Sequence, residues 1–280
     1  MRDVTRVQIL KLDEKRLQHI EDDVVVEEPL EVRVNGESFT VTMRTPGDDF
    51  DLAIGLLWTE RIIHSAREIG TIAYCPDEEQ PELKNIVNVG LVDTGRKLQS
   101  SRRLWSNSSC GLCGKATLES IRQACRRIDS RIRVAYDIIC ALPSRLRQAQ
   151  LNFERTGGIH AAALFDAGGQ LLLLREDLGR HNAVDKLLGA ALRGGTISLS
   201  ETIMLVSGRL GFEIAQKALA AGVPIVVSIS APSSLALELG RDFGMTMIGF
   251  LRGGSMNVYT RPERIKPKDT KAQRHKERPQ

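Results

Sequence analysis

Two hydrophobic periods divide the chain. Around Asn35-Gly36, apolar residues recur at alternate positions: Val32 and Val34 come before it, Phe39, Val41 and Met43 after it. A period of two flanking an Asn-Gly pair predicts an antiparallel hairpin. Thr45-Pro46-Gly47-Asp48-Asp49 then leads into Phe50, Ile54 and Leu57 at helical spacing. The acids at its start suit a helix N-terminus, where unpaired backbone N–H groups favour negative charge. A strand is expected near Ile86–Val92, after an acidic loop between Pro76 and Pro81. This half shows no catalytic cluster and reads as scaffold.

From Gly157 onward the pattern is regular. Apolar runs at Ile159–Asp166 and Gln170–Arg175 flank Ala167-Gly168-Gly169, a hairpin signature. Ala183, Val184, Leu187, Leu188, Ala191 and Leu192 mark a helix closed by Gly194-Gly195. Strand Thr202–Val206 leads through Ser207-Gly208 to a helix ending near Gly222. Strand Pro224–Ser230 leads through Ala231-Pro232-Ser233-Ser234 to another, and Met245–Phe250 is read as the final strand. A hairpin followed by strand–helix alternation implies a mixed sheet with flanking helices, an α/β (α+β) fold. In such sheets ligands bind beyond the C-terminal strand ends. Ser207-Gly208-Arg209, the 231–234 loop and Arg252-Gly253-Gly254-Ser255 lie there, with small residues and arginines that suit an anionic, nucleotide-like ligand.

Length and charge refine this picture. The 280 residues suit more than one domain, and we expect a mixed N-terminal domain over 1–105, an α/β domain over 106–260 and a solvated basic tail over 261–280. Aromatics are only 4%, so the core must rest on Leu, Ile, Val and Ala. The tail carries eight Lys/Arg against three acids, leaving 1–260 at −1 of the net +4. The body is thus not basic, which argues against nucleic-acid binding. No apolar run reaches the roughly 20 residues of a membrane helix, and no apolar leader opens the chain, so a cytoplasmic protein without membrane association is expected.

The cysteines carry the chemistry. Cys75, Cys110, Cys113, Cys125 and Cys140 are an odd set, unsuited to a disulfide framework. Cys125, on one face of a helix expected over Lys115–Ile128, and Cys140, after Ile138-Ile139, read as small core residues. Ser109-Cys110-Gly111-Leu112-Cys113-Gly114 differs: two thiols three positions apart sit before that helix and beside Lys115. A helix start and a cation both stabilise thiolate, the nucleophilic form, and the glycines let the loop bend towards a large partner. A zinc site lacks its second ligand pair, and a zinc deaminase lacks its His-x-Glu, so no metal is expected. A thioredoxin-like dithiol oxidoreductase is the rival reading, although such a pair normally follows a strand in a compact βαβ unit.

Thr45–Asp49, Ser109–Gly114, Thr156–His160, Glu176–Lys186, Ser207–Arg209 and Phe250–Ser255 together, in this order, resemble the FdhD family of sulfurtransferases. The segments span most of residues 25–260; one departure is Arg61, where the family carries glycine. The resemblance implies a cytidine-deaminase-like fold without the deaminase zinc, and typically a homodimer. It implies that a cysteine desulfurase hands sulfur to Cys110 as a persulfide. The sulfur then passes to the bis(molybdopterin guanine dinucleotide) molybdenum cofactor before that cofactor enters formate dehydrogenase.

By the same resemblance Cys113 relays the sulfur or resolves the persulfide. Cofactor binding falls to Phe250, Leu251, Arg252, Gly253, Gly254 and Ser255, where GDP or a related guanine nucleotide would also fit. Phe250 can equally end the core of its strand. His160 and Arg180-His181-Asn182 are further lining candidates, whereas Asp185 and Lys186 read as a solvated helix face. A cofactor chaperone that transfers no sulfur is the third reading.

Overall fold

The computed structural model describes residues 3–14, 16–75, 84–93 and 125–268. The chain opens with a two-stranded antiparallel ribbon, β1 (Val4–Leu12) and β2 (Leu17–Val25), which the sequence reading did not anticipate. β3 (Glu28–Val34) and β4 (Glu37–Arg44) form the expected Asn35-Gly36 hairpin, with φ of 52° and 87° at the turn. A register shift at Val32/Arg33 changes what that hairpin buries. Leu30 and Val32 pair with Thr42 and Thr40, while Val41 and Met43 are 62% and 49% exposed.

α1 (Asp49–Thr59), β5 (Ile69–Tyr74) and β6 (Ile86–Leu91) complete this part, giving a four-stranded sheet of order β4-β3-β6-β5. Ile54 and Leu57 of α1 are buried against Val32, Val87 and Val89. Just after α1, Arg61 has φ of 60°, the left-handed conformation in which glycine carries no Cβ penalty. That accounts physically for the glycine the resemblance led us to expect there.

Cys125–Ile128, expected to end a helix, have no regular structure, and the rest of that expected helix lies outside the described residues. β7 (Val134–Ala135) leads to α2 (Tyr136–Ala149) and α3 (Leu151–Thr156), both missed in the sequence. Ile139, Leu142 and Leu146 of α2 do recur at helical spacing, but Pro143 inside the helix masks the pattern.

The second sheet follows expectation closely. β8 (His160–Phe165), β9 (Leu171–Asp177), α4 (Arg180–Gly194), β10 (Ile203–Val206), α5 (Phe212–Ala220), β11 (Ile225–Ser228), α6 (Ser234–Phe243) and β12 (Thr246–Arg252) lie where the pattern predicts them. β12 is not the last strand: β13 (Ser255–Thr260) turns back along it, and β14 (Ile265–Lys266) pairs with β7. The six-stranded order is β13-β12-β11-β10-β8-β9, with β10, β11 and β12 parallel and the other pairs antiparallel. α4, α5 and α6 bury Val184, Leu188, Ile214 and Leu239 on one face; α2 buries Ile139 and Leu146 on the other. With both faces covered, β10 and β11 are buried at every position.

Residues 261–268, placed in the solvated tail by composition, are folded. Arg264 is 4% exposed, and its guanidinium donates to the carbonyls of Gly244 at 2.6 Å and Pro224 at 3.5 Å and to Thr246 Oγ1 at 3.2 Å. An arginine so held is a structural clasp that a count of charges reads as solvent.

Asp185 and Lys186 are likewise not a solvated face; they are 2% and 1% exposed. Lys217 Nζ donates to both Asp185 oxygens at 2.8 Å, and Thr59 Oγ1 donates to Oδ1 at 2.9 Å. Lys186 Nζ holds Asp177 Oδ2 and Thr45 O at 2.8 Å each. Asp177 also accepts from the backbone N–H of Thr45 and Gly179 and from Asn182 Nδ2. Buried charges survive only when paired and hydrogen-bonded, and these pairs lock α4 to α1, α5 and the loop after β4. Asp49 and Asp51 in the first turn of α1 are similarly engaged, by Arg44 and by Arg175 with Arg193.

Candidate functional site

Parallel strands β10, β11 and β12 end at one edge of the sheet. Their following loops, Ser207-Gly208-Arg209, Ala231–Ser234 and Arg252–Ser255, therefore come together as the sequence predicts. β8 runs antiparallel to β10, so His160 at its start reaches the same edge. His160 Nδ1 lies 3.2 Å from Ser207 Oγ, which also accepts from the Ala161 N–H at 3.0 Å. Burial pushes the His160 imidazole below its ordinary range, and the charges of Arg180 and His181 add to that. A Cβ on Gly208 would lie 3.3 Å from His160 Cε1 and 3.4 Å from Arg180 Cδ, so both side chains pack closely against the glycine backbone.

Beside them a cleft of about 510 Å³ opens between the first turns of α4, α5 and α6, lined by Arg180, His181, Arg209, Glu213, Pro232 and Ser233. Glu213, overlooked in the sequence, accepts from His181 Nε2 at 2.8 Å. Burial pushes the Glu213 carboxyl up, but His181, Lys217 and Arg180 outweigh it and hold the group below the usual carboxylate range. An acid in a first helical turn reads as a dipole complement, and only the fold brings it to a histidine from another helix. Asn182, by contrast, turns away from the cleft: its Nδ2 donates to Met43 O at 2.7 Å.

The 250–255 segment is a hairpin joining β12 to β13. Gly253 and Gly254 sit at φ of 57° and 73°, as a two-residue turn requires. Phe250, half-buried, has φ of 53° inside a register shift of β12, while its N–H donates to Ser230 O at 3.0 Å. Leu251 is 1% exposed and its side chain belongs to the core beneath α2. Arg252, Gly253, Gly254 and Ser255 are exposed, and the Arg252 guanidinium lies 5.9 Å from the Phe250 ring centroid. The Tyr136 hydroxyl donates to Gly254 O and ties the turn to α2. The hairpin adjoins the cleft through Pro232, whose Cδ lies 2.8 Å from where a Gly249 Cβ would be.

Cys110 and Cys113 lie outside the described residues. Cys125 and Cys140 are partly buried against the two faces of the large sheet, in keeping with core roles. Burial raises the Cys125 thiol and disfavours its thiolate. Among the described residues no His, Cys, Asp and Glu side chains form a group able to hold a metal ion, and no helix is long and apolar enough to cross a membrane.

Residues 25–266 match the model of the FdhD/NarQ family. The chain belongs to that family. A relative from Streptomyces avermitilis, named sulfur carrier protein FdhD, is 50% identical over 253 residues, 87% of this chain and 89% of the relative. A protein of the same name from Sulfolobus acidocaldarius is 42% identical, covering 94% of this chain and 98% of its own. The fold matches the crystal structure of a Desulfotalea psychrophila protein described as a formate dehydrogenase accessory protein. That match has a TM-score of 0.75 at 24% identity and covers 94% of this chain and 99% of the other. The FdhD/NarQ match begins at the end of β2, so nearly all of the opening ribbon precedes it, while both sheets and the folded residues up to Lys266 fall within it.

Proposed function

We propose that this protein is a sulfur carrier that matures formate dehydrogenase by passing sulfur through Cys110 to a molybdenum cofactor. The observation that carries this reading is the family match, whose span of residues 25–266 includes Cys110 and Cys113 and whose relatives bear the name sulfur carrier protein. In the first step the Cys110 thiolate attacks the outer sulfur of a cysteine desulfurase persulfide. The donor's S–S bond breaks, a new one forms on Cys110, and the donor cysteine leaves as a thiolate.

Delivery to the metal as sulfide requires two electrons. Attack of the Cys113 thiolate on the Cys110 sulfur supplies them: a Cys110–Cys113 disulfide forms, and the terminal sulfur leaves as sulfide to become a ligand of the cofactor metal. A thiol reductant then reopens the disulfide for the next cycle. The substrate is the bis(molybdopterin guanine dinucleotide) cofactor, which meets the protein at Arg252 and the exposed backbone of Gly253 and Gly254. The same reading has the protein act in the cytoplasm, as a homodimer, with a cysteine desulfurase and formate dehydrogenase as partners.

Complementation tests this. In cells lacking the endogenous protein, Cys110→Ser is expected to abolish formate dehydrogenase activity while the dehydrogenase polypeptide still accumulates. Full activity with Cys110→Ser would overturn sulfur transfer and favour a chaperone role.

A further inference from the structure

We infer that Tyr136 is a positioning residue for cofactor delivery: its hydroxyl fixes the peptide plane of Gly254 and with it the orientation of the 252–255 turn. The inference rests on the proposed reading that the cofactor meets the protein at this turn.

The turn has little of its own to hold one shape. Gly253 and Gly254 have φ of 57° and 73°, and a Cβ on either would meet nothing within 4 Å. Glycine reverses its peptide planes at little cost, so an exposed Gly-Gly tip left alone samples several orientations. The Tyr136 hydroxyl donates to Gly254 O, and among the described residues no other side chain hydrogen-bonds the tip. With that carbonyl engaged, its oxygen is turned to α2 and not to a phosphate held by Arg252. Two acceptors facing one another repel, so the bond removes an orientation that would oppose binding.

The anchor is rigid where the turn is not. Tyr136 opens α2, whose Ile139, Leu142 and Leu146 are buried in the core that also holds Leu251, at the base of the hairpin. Just before it, Val134 and Ala135 pair with Ile265 and Lys266, so the folded residues after β13 brace the tyrosine as well. The Cys140 thiol, one turn along the helix, hydrogen-bonds the phenol and holds it above its ordinary titration range, so the donor stays protonated.

Tyr136→Phe removes the hydroxyl and keeps the ring. In the purified full-length variant, hydrogen exchange is expected to quicken in the peptide carrying residues 252–255, with thermal unfolding unchanged. GDP, the probe for the guanine dinucleotide half of the cofactor, is expected to bind about fivefold more weakly, as loss of one neutral hydrogen bond allows. Persulfide loading of Cys110 should be unaltered, while complementation of formate dehydrogenase activity falls. A merely structural role would not separate loading from delivery.

Unchanged exchange in the turn would overturn the positioning role, as would equal losses in loading and delivery. Arg252→Gln separates this inference from the reading beneath it. Weaker GDP binding in Arg252→Gln with wild-type binding in Tyr136→Phe rejects Tyr136 and leaves the turn as the contact. Wild-type GDP binding in Arg252→Gln rejects the turn as the cofactor's contact, and the role of Tyr136 with it.

Discussion

Gly55 on α1 and Gly189 on α4 bring two helices into backbone contact. A Cβ on Gly55 would lie 1.8 Å from Asp185 O, and one on Gly189 would lie 1.9 Å from Asp51 O. The small N-terminal sheet thus docks on the large one through a helix crossing that admits no side chain at its centre.

Gly189→Ala is therefore expected to destabilise the protein, even though alanine favours helix by about 1 kcal/mol. Backbone atoms cannot rotate away as side chains do, so the net loss should reach about 3 kcal/mol. Denaturant unfolding monitored by circular dichroism checks this; a variant as stable as wild type would show that the helices can separate freely.

The Asp185–Lys217 pair lies at the same junction and is buried on both sides. Lys217→Met strands a carboxylate in the core and should cost about 3–5 kcal/mol, whereas adding Asp185→Leu should recover most of that loss. The double-mutant cycle reads the coupling, and additive losses would mean the charges do not depend on one another.

These junctions also mark what could and could not be read from the chain. β8 to β12 and their helices were legible because each apolar run is uninterrupted and bounded by Gly, Pro or Ser. Asp185 and Lys186 were not, because a helical period assigns charge to solvent; their partners lie on other elements, at Thr45, Thr59, Asp177 and Lys217. The β1–β2 ribbon escaped notice because Val7 and Ile9 point to one face and Leu10 and Leu12 to the other, which blurs alternation. At the site, the three strand-end loops were legible from composition and topology, whereas the His181–Glu213 contact required the folded helices.

Arg264 provides a third test. Arg264→Met removes its bonds to Gly244, Pro224 and Thr246; Pro224 O keeps the Thr246 N–H, while the buried Gly244 carbonyl loses its charged donor, so stability should fall by about 2 kcal/mol. Thermal unfolding of the purified variant checks this.

His160 predicts a pH dependence. Its folded-state titration lies below the ordinary value of about 6.5, so the unfolded chain binds the proton first as pH falls. Its contribution to stability is complete above about pH 6.5 and is lost as pH drops through the lower folded value. His160→Gln should flatten stability against pH in that window. Direct NMR titration of the ring should show a midpoint below that of a histidine in an unfolded peptide.

The central claim is that Cys110 carries sulfur. It is tested most directly by incubating the purified protein with a cysteine desulfurase and cysteine, without reductant, and analysing its peptides by mass spectrometry. The account predicts one added sulfur atom on the Cys110 peptide, removed by reductant and absent from Cys110→Ala. Because sulfur release also ends in the Cys110–Cys113 disulfide, Cys113→Ser is analysed beside wild type, and a Cys110 peptide without added sulfur in that variant would contradict the account.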